Sequence, residues 1–257
     1  MTTTPNPQTL LEFALDAAWQ AGRITLSYFQ NQVAAERKAD NTPVTIADRQ
    51  AEQKLRDLIT HYWPDHSFLG EEFGQQAGNS GYRWLIDPID GTKSFVSGVP
   101  FYANLLALTK DDEPLLGVAH FPALNETVYA LRGAGCYWNG RRAHVSQVDK
   151  LADAVLLFSD MDTFGEKTAV WQNLIAATYV QRTWGDAYGY SLVATGRAEI
   201  MMDPIMALWD CGPFQVILEE AGGTFTDWHG RPTIYSGESL ATNGRLFSQV
   251  MAIVQSV

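Results

Sequence analysis

The residues WLIDPIDGTKS, 84–94, form the most informative stretch of this 257-residue chain. An apolar strand predicted over Arg83–Ile86 delivers Asp87 at its carboxyl end, where the sites of α/β proteins usually lie. Pro88 has no N–H and restricts Asp87 to an extended backbone, so we predict a sharp turn here. Such a turn can direct the Asp87 carboxylate, the Ile89 carbonyl and the Asp90 carboxylate at one point.

Carboxylates this close together repel, and one of them takes up a proton unless a cation lies among them. Oxygen ligands without a nearby His or Cys select Mg²⁺, Mn²⁺ or Ca²⁺ over zinc. Gly91–Ser94 is the predicted first turn of a helix, whose free N–H groups suit a phosphate. An Asp-Pro turn with solvated acids is the ordinary interpretation of such a motif in isolation. The preceding strand and the upstream residues Gly70–Glu72 favour a metal and phosphate site.

Helical and strand-like patterns surround this stretch. Apolar residues recur at helical spacing over residues 7–31, and a second helix opens at Asp48 and stops before Pro64. The pattern predicts helices over an antiparallel sheet for about residues 1–150 and an α/β layer for about 151–257. The strands predicted for the first half are Arg83–Ile86, Ala103–Thr109, Leu115–Phe121 and Glu126–Leu131, with hairpin turns at Asp111-Asp112 and Asn139-Gly140. The elements predicted for the second half are the strands Ala154–Phe158, Tyr179–Arg182 and Ala198–Met202 and the helices Lys167–Ala177, Tyr188–Thr195 and Cys211–Ala221.

Composition excludes several classes of protein. With 18 Lys+Arg against 29 Asp+Glu, the net charge of −11 repels polyanions, so we expect no nucleic-acid partner. No apolar run approaches the roughly 20 residues of a membrane span, and the first residues lack the pattern of a signal peptide. Cys136 and Cys211 cannot form a disulfide framework or a Cys-based zinc site. We therefore expect a cytoplasmic protein with no membrane partner.

Three segments carry a resemblance to a known family. Residues 84–97 resemble the first signature of the inositol monophosphatase superfamily, and Trp209-Asp210 with residues 219–223 (EEAGG) resembles its second. Residues 40–48 (DNTPVTIAD) are similar to its N-terminal segment. The resemblance implies an alternating αβαβα helix-sheet sandwich of the α/β (α+β layered) class, in a single domain over residues 1–257. It also implies a homodimer and Mg²⁺-dependent hydrolysis of small phosphate monoesters.

The resemblance also implies a set of metal ligands. Glu71, Asp87 and the Ile89 carbonyl would hold a first ion, and Asp87, Asp90 and Asp210 a second. A third, weaker ion would use Glu71, and Mn²⁺ could replace Mg²⁺. Residues 211–213 (CGP) depart from the family pattern after Asp210. Because Pro is tolerated in the first turn of a helix, we still expect Asp210 in its usual place.

Catalysis would combine Glu71 with a pair of side chains. The resemblance implies that Thr92, paired with Asp48, orients and deprotonates the attacking water. A lone Thr is a poor base, and its hydroxyl needs a buried carboxylate acceptor to present a lone pair to water. The alternative is that Asp48 only caps a helix.

The substrate pocket is predicted from the same resemblance. The substrate would be bound by Gly91, Thr92, Asp210, Arg182, Asp186 and Asp203. An inositol ring is a neutral polyol, whereas carboxylates pair with an ammonium group. Residues 182–204 are more similar to the histidinol-phosphatase branch of the superfamily, which implies L-histidinol phosphate as the substrate. Arg182 is either a substrate ligand or an ion-pair partner in the dimer interface.

Two other classes of protein compete with this interpretation. The strand before Asp160-Met161-Asp162 is typical of haloacid-dehalogenase phosphatases, in which the first Asp attacks phosphorus. Phe164 stands where that family has Thr or Val, so the segment is better interpreted as an acidic loop. A non-catalytic metal-binding regulatory protein is the other candidate, and it has no use for the pair of Thr92 and Asp48. Inositol 1-phosphate or another sugar or nucleotide phosphate remains the alternative substrate.

Overall fold

The computed structural model describes residues 5–39 and 42–256, so Asp40 and Asn41 of the N-terminal signature lie outside the described residues. The helices are α1 (Pro7–Tyr28), α2 (Ile46–Tyr62), α3 (Thr92–Val96), α4 (Thr168–Ala177), α5 (Asp186–Ala194), α6 (Leu208–Cys211), α7 (Phe214–Glu220) and α8 (Phe247–Val254). The strands are β1 (Ala35–Arg37), β2 (Pro43–Thr45), β3 (Ser67–Gly70), β4 (Gly74–Gln76), β5 (Tyr82–Asp90), β6 (Ala103–Lys110), β7 (Glu113–Phe121), β8 (Glu126–Leu131), β9 (Gly135–Trp138), β10 (Arg141–Arg142), β11 (Val155–Leu157), β12 (Val180–Arg182), β13 (Ile200–Asp203), β14 (Thr224–Thr226) and β15 (Ser239–Thr242).

The large sheet has the strand order β10-β9-β8-β7-β6-β5-β3-β4. Its pairs are antiparallel except that β3 runs parallel to β5. The helices α1 and α2 cover one face, where their apolar sides pack on residues such as Trp84 and Leu106. Burial of these side chains stabilises each helix more than its intrinsic propensity does.

The small sheet has the order β12-β11-β13-β15-β14, with β12, β11 and β13 parallel. Between the two sheets lies a buried layer that joins Leu105 of the large sheet, Phe214 of α7 and Met201 of the small sheet. On the outer face of the small sheet, Leu174 of α4 packs with Val250 of α8. The alternating αβαβα sandwich predicted from the sequence is confirmed, and the shared middle layer supports our proposal that residues 1–257 form one domain.

Three local predictions are corrected by the structure. The second helix begins after Thr45, which is its N-cap, while Asp48 lies three residues later and closes the capping box. The helix predicted over Cys211–Ala221 is two short helices, α6 and α7, that meet at Gly212-Pro213. The chain does not turn away at Pro88, since β5 continues to Asp90.

None of the described helices combines the length and the apolar character that crossing a bilayer requires.

Candidate active site

An irregularity in β5 brings the first two acids together. The pairing of β5 with β6 shifts register between Asp87 and Asp90, because Pro88 has no N–H to add to the ladder. The Ile89 N–H donates to Asp87 Oδ1 at 2.9 Å, and the Asn104 side chain donates to the Pro88 carbonyl. The bulge replaces the predicted turn and holds both carboxylates at the end of the strand.

A third acid arrives from α6. Asp210 lies in the first turn of that helix, and its Oδ2 accepts the N–H of Ala207 at 2.9 Å. One carboxylate oxygen from each of Asp87, Asp90 and Asp210 lies within 4.8 Å of the others. Asp87 and Asp90 are buried and Asp210 is half-buried, so the cluster has little access to solvent. The predicted convergence of these acids is what the structure shows.

Burial makes the charges of this cluster costly. It raises the pKa of Asp87 and of Asp90 well above the usual range, with the charge of Glu71 adding to the first and that of Asp186 to the second. Burial also raises the pKa of Asp210 to about 7. The donors are carboxylate oxygens that converge and repel one another, so the cluster fits a hard divalent cation.

Glu71 lies beside the cluster on the turn between β3 and β4. Its Oε1 accepts from Lys38 Nζ at 2.7 Å, and the same ammonium contacts Glu72 Oε1 at 2.6 Å. Burial alone would lower the pKa of Lys38, but these two carboxylate contacts outweigh it and hold that pKa above its usual value. Lys38, on the connection from β1 to β2, therefore supplies positive charge at the predicted first metal position.

Thr92 and Asp48 are not hydrogen-bonded to each other. Thr92 Oγ1 donates to the Ile89 carbonyl at 2.9 Å, while Asp48 Oδ2 accepts from Thr45 N and Thr45 Oγ1 at 2.8 and 2.6 Å. Asp48 is fully buried, and its Oδ1 has no hydrogen-bond partner. The capping role allowed as an alternative is present, and the catalytic pairing of Thr92 with Asp48 stays a prediction.

Two adjoining cavities meet at the acids Asp90, Asp186 and Asp210, which line both of them. The larger has a volume of about 240 Å³ and extends towards Glu71 and Thr92. The smaller has a volume of about 100 Å³ and is the more enclosed of the two. The remaining walls of the smaller cavity include Tyr190, Asp203, Ile205, Met206 and Phe214. The shared acids therefore lie between a larger cavity beside Glu71 and Thr92 and a smaller, more enclosed one.

Asp186 occupies the junction of the two cavities in a strained conformation. Its φ of +52° is left-handed, which Asn and Asp tolerate better than most residues. Its N–H donates to Ser159 Oγ at 2.8 Å, and the following N–H, of Ala187, donates to Asp90 Oδ2 at 2.7 Å. A Cβ at Gly91 would lie 3.1 Å from Asp186 Oδ2, so that carboxylate lies against the backbone at the start of α3.

Both carboxylate oxygens of Asp203 accept hydrogen bonds from other groups of the protein. Its Oδ2 accepts from the Tyr190 hydroxyl at 2.8 Å, and its Oδ1 accepts from Ser159 N at 3.1 Å. Tyr190 OH also contacts Ser239 Oγ, and burial raises the pKa of Asp203 to about 7. Asp203 lines the smaller cavity as predicted, but these contacts favour a supporting role over direct recognition of substrate.

Asp203→Ala is therefore expected to lower stability and leave substrate preference unchanged. Removal of the carboxylate leaves the buried Tyr190 hydroxyl and Ser159 N–H without this acceptor, at a cost of about 1–3 kcal/mol. Chemical denaturation measures the loss, and kcat/KM for a cationic and a neutral phosphate ester measures preference. A selective loss on the cationic ester would return Asp203 to the recognition role.

Arg182 lies outside both cavities. It is exposed on β12, its guanidinium lies 5.8 Å from the Trp184 ring centroid, and its Nη1 donates to the Gln181 carbonyl at 2.7 Å. Its predicted role in substrate binding or at a dimer interface stays a prediction.

The buried acids predict how the stability of the metal-free protein depends on pH. Asp203 and Asp210 have a pKa of about 7 in the folded protein, against an ordinary value of 3.8. Between these two pH values the folded state binds more protons than the unfolded state, so the protein loses stability as the pH rises. His66 and His120, whose pKa burial lowers to about 4, act oppositely until the pH is well above their unfolded-state pKa of 6.5. The two carboxyls outweigh the histidines from about pH 6.5 to 8, and each half-protonated carboxyl contributes a slope near pH 7 of about −0.7 kcal/mol per pH unit.

Denaturation of the protein in chelator across that window tests this expectation, and saturating Mg²⁺ should flatten or reverse the slope. If the stability of the metal-free protein rose from pH 6.5 to 8, the destabilising effect expected from Asp203 and Asp210 would be contradicted.

Several residues of the site were not found from the sequence. Lys38, Thr45, Asn104 and Ser159 all contact site residues through tertiary or capping contacts. Thr45, three residues before Asp48, has the spacing of a capping box, which is a signal that the sequence does offer. The other three have no local pattern that distinguishes them.

Comparison with known proteins agrees with this geometry. A sequence model of the inositol monophosphatase family matches residues 6–257. A histidinol-phosphatase of Chlorobaculum parvum is 43% identical over 236 residues, which cover 90% of this chain and 91% of that protein. A fructose-1,6-bisphosphatase/inositol-1-monophosphatase of Aquifex aeolicus is 30% identical over 86% of each chain. The structure of a Thermotoga maritima IMPase matches with a TM-score of 0.89 and 30% identity, over 96% of this chain and 97% of that one.

The fold, the acidic cluster and these relatives define a phosphoric monoester hydrolase that acts on a small phosphate ester. The chain belongs to the inositol monophosphatase family. The predicted family membership and enzyme class are thus confirmed, and the relatives carry more than one substrate name.

Proposed function

We propose that this protein is a Mg²⁺-dependent histidinol-phosphatase, which hydrolyses L-histidinol phosphate to L-histidinol and phosphate. The observation that carries the proposal is the position of Asp186, which lines both cavities at their junction. We assign the phosphate and the metal ions to the larger of the two. A carboxylate at the junction suits an alcohol that carries an ammonium group and does not suit a neutral polyol. The 43% identity to a histidinol-phosphatase, against 30% to the bifunctional Aquifex protein, supports the same choice.

We propose the metal positions that the family resemblance implies, and the donors on the larger cavity support them. Asp87, Asp90 and Asp210 would hold one ion, and Glu71 with Asp87 and the Ile89 carbonyl would hold another. When bound, Mg²⁺ supplies positive charge for the phosphate oxygens and favours ionisation of the attacking water. The raised pKa of Asp87 and Asp90 reflects a need for positive charge that such ions would meet.

Thr92 and Asp48 are proposed to receive the proton of the attacking water. The Thr92 hydroxyl lies at the start of α3 on the wall of the larger cavity, where it can accept a hydrogen bond from water. Ala47, next to Asp48, packs with Ile89 and Phe95, so the first turn of α2 lies beside α3. Asp48 Oδ1 lacks a partner and is the acceptor that this arrangement leaves for the Thr92 hydroxyl.

The smaller cavity is proposed to receive the histidinol part of the substrate. Asp186 would pair with its ammonium group, and Ile205 and Met206 would contact the imidazole ring. Tyr188 stacks on Phe101 with ring centroids 4.7 Å apart, so it serves packing instead of offering a free ring face. Charge recognition therefore depends on Asp186 more than on the aromatic residues of α5.

The test is a comparison of kcat/KM for L-histidinol phosphate and inositol 1-phosphate with Mg²⁺ present and with chelator. We expect histidinol phosphate to be preferred by at least about tenfold, which corresponds to one charge-assisted hydrogen bond. Thr92→Ala should lower kcat on both esters by about 10²–10⁴-fold with little change in KM. Preference for inositol 1-phosphate would overturn the proposed substrate, and equal phosphate release by wild type and Thr92→Ala would overturn the proton-accepting role of Thr92.

We also propose that the chain forms a homodimer, as its family resemblance implies. Arg182 and Trp184 are exposed at and just after the edge strand β12, which fits a surface that a second copy covers. Light scattering at micromolar concentration should give twice the chain mass of 28.5 kDa.

A further inference from the structure

We infer that Glu52 is a positioning residue that holds the metal ligand Glu71 in place through the backbone of the β3–β4 turn. The inference rests on the proposed metal role of Glu71. It concerns a residue that is not among the proposed metal or substrate ligands and that lies one helical turn after Asp48 on α2.

Glu52 binds the two N–H groups that directly follow Glu71. Its Oε2 accepts from Glu72 N at 2.7 Å and its Oε1 from Phe73 N at 3.1 Å. The Glu52 side chain is fully buried, so water does not compete for these bonds. On the other side, the Glu71 N–H donates to the Ile86 carbonyl at 3.2 Å. The backbone at Glu71 is therefore fixed from both directions while its side chain points to the cluster.

The turn is shaped around this carboxylate. A Cβ at Gly70 would lie 2.1 Å from Glu52 Oε1, so only glycine fits directly before Glu71 while Glu52 keeps its position. Arg56 Nη1 donates to Glu52 Oε1 at 3.2 Å and to the Gly74 carbonyl at 3.1 Å. Together, Glu52 and Arg56 hold the turn at both of its ends and balance each other's charge.

The bonds to Glu52 oppose the electrostatic repulsion between Glu71 and the acids around it. The charge of Glu71 acts on Asp87, Asp210 and Asp48, all of which carry the same sign. Repulsion would displace a flexible turn away from the cluster before an ion binds. A turn bound to the rigid helix α2 keeps the ligand in place, and such supporting contacts set the affinity of a metal site.

The experiment measures Mn²⁺ binding to the full-length protein by titration calorimetry, with Mg²⁺-dependent thermal stabilisation as a second readout. Glu52→Gln keeps the shape but presents an amide to the two N–H groups, so we expect the Kd for Mn²⁺ to rise by about 10–100-fold. Glu199→Gln is the matched control, because Glu199 is also buried and accepts one backbone N–H, from Val155 at 2.7 Å in the small sheet. Glu71→Gln reports on the ligand itself.

Each outcome bears on one of the two claims. If Glu71→Gln leaves Mn²⁺ binding unchanged, the proposed metal role of Glu71 fails. If Glu71→Gln weakens binding but Glu52→Gln does not, or if Glu199→Gln weakens it equally, the positioning role of Glu52 is overturned. Should Glu52→Gln not fold, Arg56→Gln replaces it, with an expected rise in Kd of several-fold. No rise with Arg56→Gln would overturn the inference as well.

Discussion

Asp90→Asn is expected to lower kcat/KM by at least about 10³-fold, because the site loses a charge on which metal binding depends. The substitution is close to isosteric, and the amide oxygen can still accept from Ala187 N, which lies 2.7 Å from Asp90 Oδ2. Loss of activity would therefore not come from a displaced α5. The same variant should be more stable than wild type in chelator, since one of three converging buried acids becomes neutral.

Thermal denaturation with and without Mg²⁺ checks the second part of this prediction. Wild type should gain stability on addition of Mg²⁺, and Asp90→Asn should gain little. Asp149→Asn, an exposed change of the same kind, should behave as wild type in every assay. Retention of full activity by Asp90→Asn would remove the basis for a metal site at the end of β5.

Asp186→Asn is expected to lower kcat/KM for L-histidinol phosphate by about 10–100-fold and that for inositol 1-phosphate by less than about threefold. Only the histidinol ester offers an ammonium group to this carboxylate. Asn tolerates the φ of +52° found here, so the contacts of the Asp186 and Ala187 N–H groups should persist. Steady-state kinetics on both esters at saturating Mg²⁺ measure the ratio.

Asp160→Asn is the control for this variant, because Asp160 lines the same cavities but pairs with Lys93 at 3.1 Å near the surface. It should change both esters by the same small factor. An equal loss on both esters in Asp186→Asn would show that Asp186 supports the metal site and does not select the substrate.

Much of the fold could be predicted because its elements have strong local periodicity. The first helix, expected over 7–31, is Pro7–Tyr28, and the strand expected over Glu126–Leu131 has those bounds. The turn at Asn139-Gly140 has positive φ at both residues, as its hairpin signal requires. Local rules failed at Pro88, where the distant Asn104 side chain binds the carbonyl that a turn would have exposed.

The site shows the same division between local and distant information. Asp87 and Asp90 lie in one short motif and Asp210 lies in a second, so the resemblance to a family could identify all three. Glu52 lies on the buried stripe of α2, three and seven residues before Leu55 and Ile59, but that spacing does not reveal its bonds to residues about twenty positions later in the sequence. Those bonds depend on the tertiary packing of the β3–β4 turn against α2.

The left-handed backbone at Asp186 limits how this enzyme can be redesigned. A library that replaces Asp186 to accept uncharged alcohols will contain β-branched and bulky side chains that resist a φ of +52°. Those members would shift the Ala187 amide away from Asp90 and so lose catalysis together with selectivity. Asn and Gly are the replacements from which new specificities should be engineered, with further diversity placed at Ile205 and Met206, which line the same cavity.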